Sequence, residues 1–167
     1  MSLVLAATSI ATLRALALPL ISAGIAATAY GIGFTIRTLR EKDMPDAQPG
    51  QAFSLPVALL FALTLAAMLI ASAALRDWFG ETGVIVAAAA SGFVDTHSAA
   101  IAVASLVASG KVTAADAVFP ILAALTTNTV SKIVFALSSG SRSFALRLIP
   151  GLVLVAAAAW GGALLMR

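Results

Sequence analysis

The sequence predicts an all-α integral membrane protein: a bundle of five transmembrane helices preceded by a short apolar N-terminal helix, interfacial or re-entrant, in one domain over residues 1–167. Three observations carry this. Of 167 residues, 61% are hydrophobic and 10% charged, against roughly 25% charged in soluble domains. A mean hydropathy of +1.06 means more apolar surface than a water-soluble domain of this length can hide, because roughly 30% of the surface stays exposed after folding. Five apolar stretches of about 20 residues also follow one another, each long enough to cross a ~30 Å hydrocarbon core. An extramembrane enzymatic domain is excluded.

The short stretch from Met1 to Leu13, closed by Arg14, comes first. It is too short to cross and lacks the basic flank and cleavage site of a secretory signal, so it is expected to lie at the interface or dip part-way in; a short or tilted sixth span is the alternative. The five spans are then Ala15 to Ile36, Leu55 to Leu75, Val84 to Val107, Ala117 to Leu137, and Leu148 to Met166. In the first, Gly24, Ala27, Thr28, Ala29, Gly31 and Gly33 have the spacing of close helix packing. A solvated linker from Thr38 to Ala52 follows, and Pro56 opens the second span where no N–H is needed. Ser109-Gly110 stops the third span, and Thr113 with Asp116 starts the fourth in the manner of a capping box. Spans three and four are therefore expected to be antiparallel neighbours. Ser138 to Ser141 makes the last turn, and Pro120 and Pro150 are expected in the first turns of their spans. Tyr30, Trp78, Phe79 and Trp160 read as interfacial aromatics.

With five crossings, Arg37, Arg40, Lys42, Lys111 and Arg167 share one face and Arg14, Arg76, Arg142 and Arg147 the other. The trio after span one favours a cytoplasmic linker, an external N-terminus and an internal C-terminus, while so small a bias leaves insertion in both orientations open. The basic residues are scattered singly, so no nucleic-acid partner is expected. Zero Cys and one His exclude disulfides and thiolate sites.

Ionisable residues inside spans mark candidate sites. Span three holds Ser91-Gly92-Phe93-Val94-Asp95-Thr96-His97-Ser98. His97 stands two positions from Asp95, about 200° around a helix, so a regular helix cannot aim both at one point: either they serve different neighbours or the helix is interrupted near Gly92. Span four holds Thr126-Thr127-Asn128-Thr129-Val130-Ser131-Lys132. Asp95, His97, Asn128 and Lys132 are the candidate ion-binding or gating residues, with Asp95 and His97 the candidate metal ligands and Ser91, Gly92, Thr127, Ser131 and Arg14 in support. Asp95 and Lys132 are expected to pair across the hairpin, Asn128 being level with Asp95 and Arg14 a second cation. The plainer reading has Asp95 bonding a neighbouring helix, His97 packing, and Lys132 snorkelling to the interface.

These two runs, with Ala7-Thr8-Ser9-Ile10-Ala11-Thr12-Leu13-Arg14, resemble the membrane domain of unknown function at the C-terminal end of many bacterial MgtC/SapB-type proteins, over nearly the whole chain. Those relatives show Gly-x-x-Asp-x-Asp, so Asp95 matches and His97 stands where they have a second carboxylate. The resemblance implies a multi-pass protein of the bacterial inner membrane, loosely associated with divalent-cation homeostasis.

The expected function is a small-ion transporter or channel, for a divalent cation with proton coupling, whose polar site lies between spans three and four. The alternative is a non-catalytic membrane subunit or regulator whose polar residues only hold helices together. No enzyme is expected, since neither a His-Glu-x-x-His helix nor a Gly-x-Ser-x-Gly elbow occurs. No cofactor is expected either, a divalent cation entering only as substrate. The expected partners are the lipid bilayer and a second copy of the chain as a homodimer, with a larger membrane complex as a further option.

Overall fold

The computed structural model describes residues 1–40, 59, 63, 84–139 and 142–166. The expected span Leu55 to Leu75, apart from Leu59 and Leu63, and nearly all of the linker before it lie outside the described residues. The described residues form helices α1 (Ser2–Thr8), α2 (Ile10–Ala15), α3 (Ala17–Arg40), α4 (Val84–Gly92), α5 (Thr96–Ala108), α6 (Val118–Ser139) and α7 (Arg142–Leu164). Three of them, α3, α6 and α7, are long and apolar enough to cross a membrane. The described residues are thus all-helical in their regular structure, with membrane-spanning character.

The N-terminal segment is two helices and not one. It breaks at Ser9, whose extended backbone and hydroxyl cap α2 by accepting from the Thr12 amide at 3.3 Å and the Thr12 hydroxyl at 3.0 Å. Leu5, Thr12 and Leu16 are fully buried. Leu5 and Leu16 belong to the same apolar cluster as Ala88, Ala99, Ala100, Val103, Ala117 and Ile121, so α1 and α2 pack into the bundle beside α5.

Side-chain bonds fix the directions of the long helices. Ser22 Oγ donates to the Ala158 carbonyl at 2.7 Å and the Tyr30 hydroxyl to the Arg147 carbonyl. Residue numbers rise along α3 as they fall along α7, so this pair is antiparallel. Close approach is allowed by α7, where a Cβ on Gly162 would lie 2.5 Å from Ser22 Oγ. Among the described residues a Cβ on Gly24, Gly31 or Gly33 of span one would meet nothing within 4 Å. Tyr30 and Trp160 tie helices together: Trp160 Nε1 donates to Thr126 Oγ1 at 2.9 Å and its ring meets Phe119 edge-on at 5.6 Å. Because Trp160 near the end of α7 meets Phe119 near the start of α6, and α7 begins three residues after α6 ends, these two are also antiparallel.

Consequently α3 and α6 run the same way, and the C-terminal ends of α3 and α6 share one end of the bundle. Five alternating crossings would instead make the first span parallel to the fifth and antiparallel to the fourth. That expectation is overturned, and with it the opposed termini: the start of α3 and the end of α7 lie together. Pro150 also sits well inside α7, because this helix starts at Arg142 and not near Leu148. Its missing N–H leaves a carbonyl without its helical donor, and Tyr30 holds the neighbouring Arg147 carbonyl beside that break.

Candidate functional site at a helix interruption

The expected third span is two helices. Backbone bonds continue as far as Asp95 N to Ser91 O at 2.9 Å; Asp95 then turns extended, at φ −159° and ψ 124°, and α5 starts at Thr96. Asp95 is the N-cap of α5. One carboxylate oxygen accepts from the His97 amide and from His97 Nδ1, each at 3.0 Å, and the other from the Ser98 amide and Ser98 Oγ, each at 2.9 Å. A carboxylate at a helix start both satisfies orphan N–H groups and meets the positive end of the helix dipole. The interruption thus brings Asp95 and His97 together, as a regular helix could not. It also recruits Ser98, which the sequence shows only as the Asp-x-x-Ser spacing of an N-cap.

The interruption reverses the chain. Thr127 Oγ1 donates to the Ala89 carbonyl at 2.7 Å, and Ser131 Oγ to the Phe93 carbonyl at 3.2 Å. On each side the two positions are four residues apart, about 6 Å along a helix, so two bonds this short keep α4 and α6 within about 60° of parallel. If α5 simply prolonged α4 parallel to α6, its end would lie about 42 Å from the start of α6, beyond the roughly 36 Å reach of a fully extended connection. The actual connection is folded, with a Schellman stop at Gly110 (φ 75°), Lys111 N bonding Leu106 O at 2.9 Å, and Ala117 N bonding Thr113 O at 3.1 Å. Helix α5 therefore turns back along α4, which is why Ala88 shares a buried cluster with Ala99, Ala100 and Val103. The expected antiparallel pairing of one continuous span three with span four gives way to a short helical hairpin, α4–α5, standing beside α6.

Gly92 permits this contact. A Cβ there would collide with the Ala124 carbonyl and Thr127 Oγ1 and lie 2.6 Å from Ala124 Cα. Among the described residues Ser91 bonds its own helix, at Ala87 O and Ala88 O. Thr96 Oγ1 is buried without a hydrogen-bond partner among the described residues, because the first residue of α5 has no preceding helical turn to offer it a carbonyl. Asp95 and His97 stay accessible, with side chains 42% and 54% exposed.

The expected Asp95–Lys132 pair is not formed. Among the described residues the ion pair made by Asp95 is with His97, whereas Lys132 is exposed. No ion pair joins Asp95 to Arg14, which is exposed on α2. Asn128 makes no hydrogen bond to Asp95, and the turn stands opposite Ser131 instead. Among the described residues no third His, Asp or Glu joins Asp95 and His97 as a metal-binding group. The expected coupling is accordingly replaced by independence: Asp95→Asn and Lys132→Met should be additive within about 0.5 kcal/mol in a double-mutant cycle scored by thermal stability. A larger interaction term would show that the two side chains meet.

No curated protein and no solved structure gives a significant match to the chain. One family model does, over residues 1–140, and the chain therefore belongs to the DUF4010 family, a domain of unknown function.

Proposed function

We propose that this protein moves a small ion across the membrane and that the α4–α5 turn is where the ion is handled. The observation that carries the reading is the interruption itself: Asp95, His97 and Ser98 gather at the break of a helical hairpin packed on a long apolar helix. Non-helical backbone and a charged group at such a place are costly in hydrocarbon and occur where they line a polar path. The Thr96 hydroxyl beside the turn adds a buried polar atom without a partner among the described residues. The cargo we propose is a divalent cation, exchanged against protons, in keeping with the resemblance to domains that accompany MgtC/SapB-type proteins. The bacterial inner membrane and a homodimer are parts of the same proposal.

Arg37, Arg40, Arg142 and Arg147 lie on the end of the bundle shared by the α3 C-terminus and the α7 N-terminus, and Arg14 and Lys111 on the other. The Lys/Arg rule supports a cytoplasmic side at the former.

The test is flux in liposomes carrying the purified protein, with a panel of divalent cations, protons and anions. The reading expects saturable flux of a divalent cation that falls at least tenfold in Asp95→Asn. A different reading, a regulatory or structural subunit, is favoured by one observation: all four bonds to the Asp95 carboxylate come from its own helix. No flux of any ion, together with stable co-purification of a larger membrane partner, would decide for the subunit.

A further inference from the structure

A second feature lies far from the α4–α5 turn, at the opposite end of α6. A cavity of about 460 Å³ opens between the end of α2, the α5–α6 connection, the start of α6 and the end of α7. Its lining includes Asp116, Phe119, Leu122, Trp160, Leu164 and Met166. Among the described residues Asp116 is the one charged side chain in that lining. Its position is set by Thr113, whose hydroxyl donates to Asp116 Oδ2 at 2.6 Å and accepts from the Asp116 amide at 3.2 Å.

The aromatic wall is equally fixed. The Trp160 indole N–H is committed to Thr126 Oγ1 at 2.9 Å, and Phe119 meets the indole edge-on with ring centroids 5.6 Å apart. With its N–H engaged across α6, Trp160 has no polar donor left for a ligand and offers only apolar and π surface.

We propose that this cavity binds an amphiphilic ammonium ion. Aromatic faces attract a cation through their quadrupole, Trp most strongly, and an ammonium carrying apolar substituents is the group that matches such a wall. A lone carboxylate beside it supplies the opposite charge and excludes anions. The remaining Leu and Met surface takes the apolar body of the ligand, in the usual division of labour of a small-molecule pocket. A neutral apolar molecule would leave the carboxylate without a cation, and an inorganic cation would leave the aromatic and aliphatic walls unused. Asp116 precedes Ser131, at the hairpin turn, by about 22 Å of helix, so the cavity is separate from the proposed ion path.

Benzyltrimethylammonium and its uncharged isostere neopentylbenzene test this, with emission of Trp160 as the signal in a Trp78→Phe background. The expected result in maltoside micelles is saturable binding of the cation at least tenfold tighter than of the isostere. Asp116→Asn should remove that preference, and Phe119→Leu, which keeps the wall apolar, should weaken the cation and spare the isostere. Repeating the titration in phosphatidylethanolamine nanodiscs separates the two sources of an ammonium group. Retained affinity identifies a free amine as occupant, and a tenfold loss relative to phosphatidylglycerol nanodiscs identifies the lipid headgroup. Equal binding of cation and isostere, or unchanged cation binding in Asp116→Asn with both proteins monodisperse, would overturn the proposal.

Discussion

Gly92→Val should leave little or no folded protein. At this position α4 rests backbone to backbone on α6, and a single Cβ would already collide with the Ala124 carbonyl and Thr127 Oγ1. Main chain cannot move aside as a flexible side chain would, so the helices must part. Parting them also stretches the two bonds that hold α4 on α6, Thr127 to Ala89 and Ser131 to Phe93. Overpacking in cores costs about 1 to 3 kcal/mol, and loss of those bonds adds roughly 1 kcal/mol each. Gly92→Ala should therefore survive with a clearly lowered melting temperature, and Gly92→Val should aggregate on extraction. Thermal unfolding in detergent and the monodisperse fraction on size exclusion measure both; a Gly92→Val protein that behaves like wild type would show that α4 does not lie on α6.

The second large effect is expected at Asp95. Asp95→Ala removes the cap of α5 and strands two backbone amides, which costs about 0.5 to 2 kcal/mol for an exposed cap and more where water is scarce. Asp95→Asn keeps an oxygen for the cap and should recover most of that stability. His97→Ala should be milder than Asp95→Ala, because it removes one of the four donors and leaves the cap in place. Thermal stability of the three variants decides. Equal tolerance of Asp95→Ala and His97→Ala would mean that the cap does not hold the hairpin.

How much of this is written in the sequence differs from element to element. Apolar runs of sufficient length announce α3, α6 and α7, because crossing length is a property of composition alone. Gly110 and the Thr113–Asp116 pair announce the tight connection, which the structure keeps. The conflict between Asp95 and His97 on one regular helix, next to Gly92, signals an interruption. What the residues do not disclose is its consequence. Hydropathy counts Val84 to Val107 as one crossing, since an apolar residue scores the same in a spanning helix and in a hairpin that turns back. Direction is set instead by tertiary bonds such as Ser131 to Phe93, which no local pattern encodes.

The same ambiguity hides the partner of Asp95. A carboxylate in an apolar run demands hydrogen bonds, and Lys132 is the obvious candidate in a strictly alternating bundle. Once the chain breaks, the free amides of His97 and Ser98 are closer at hand and the demand is met locally. Ser98 could have been found from its spacing to Asp95. The aromatic cavity could not, because it joins Phe119 and Trp160 from helices whose pairing becomes visible only in three dimensions.

Because α4–α5 turns back, the end of α3 and the α5–α6 connection lie at opposite ends of the bundle. The naturally Cys-free chain makes this directly measurable through Leu39→Cys and Lys111→Cys, two exposed positions, one at the end of α3 and one just beyond α5. In sealed, uniformly oriented vesicles, a membrane-impermeant maleimide added outside should label one and spare the other until the membrane is opened. Arg142→Cys should follow Leu39→Cys. Labelling of Leu39→Cys and Lys111→Cys from the same side would mean that residues 84–108 cross the membrane once, and would contradict the hairpin.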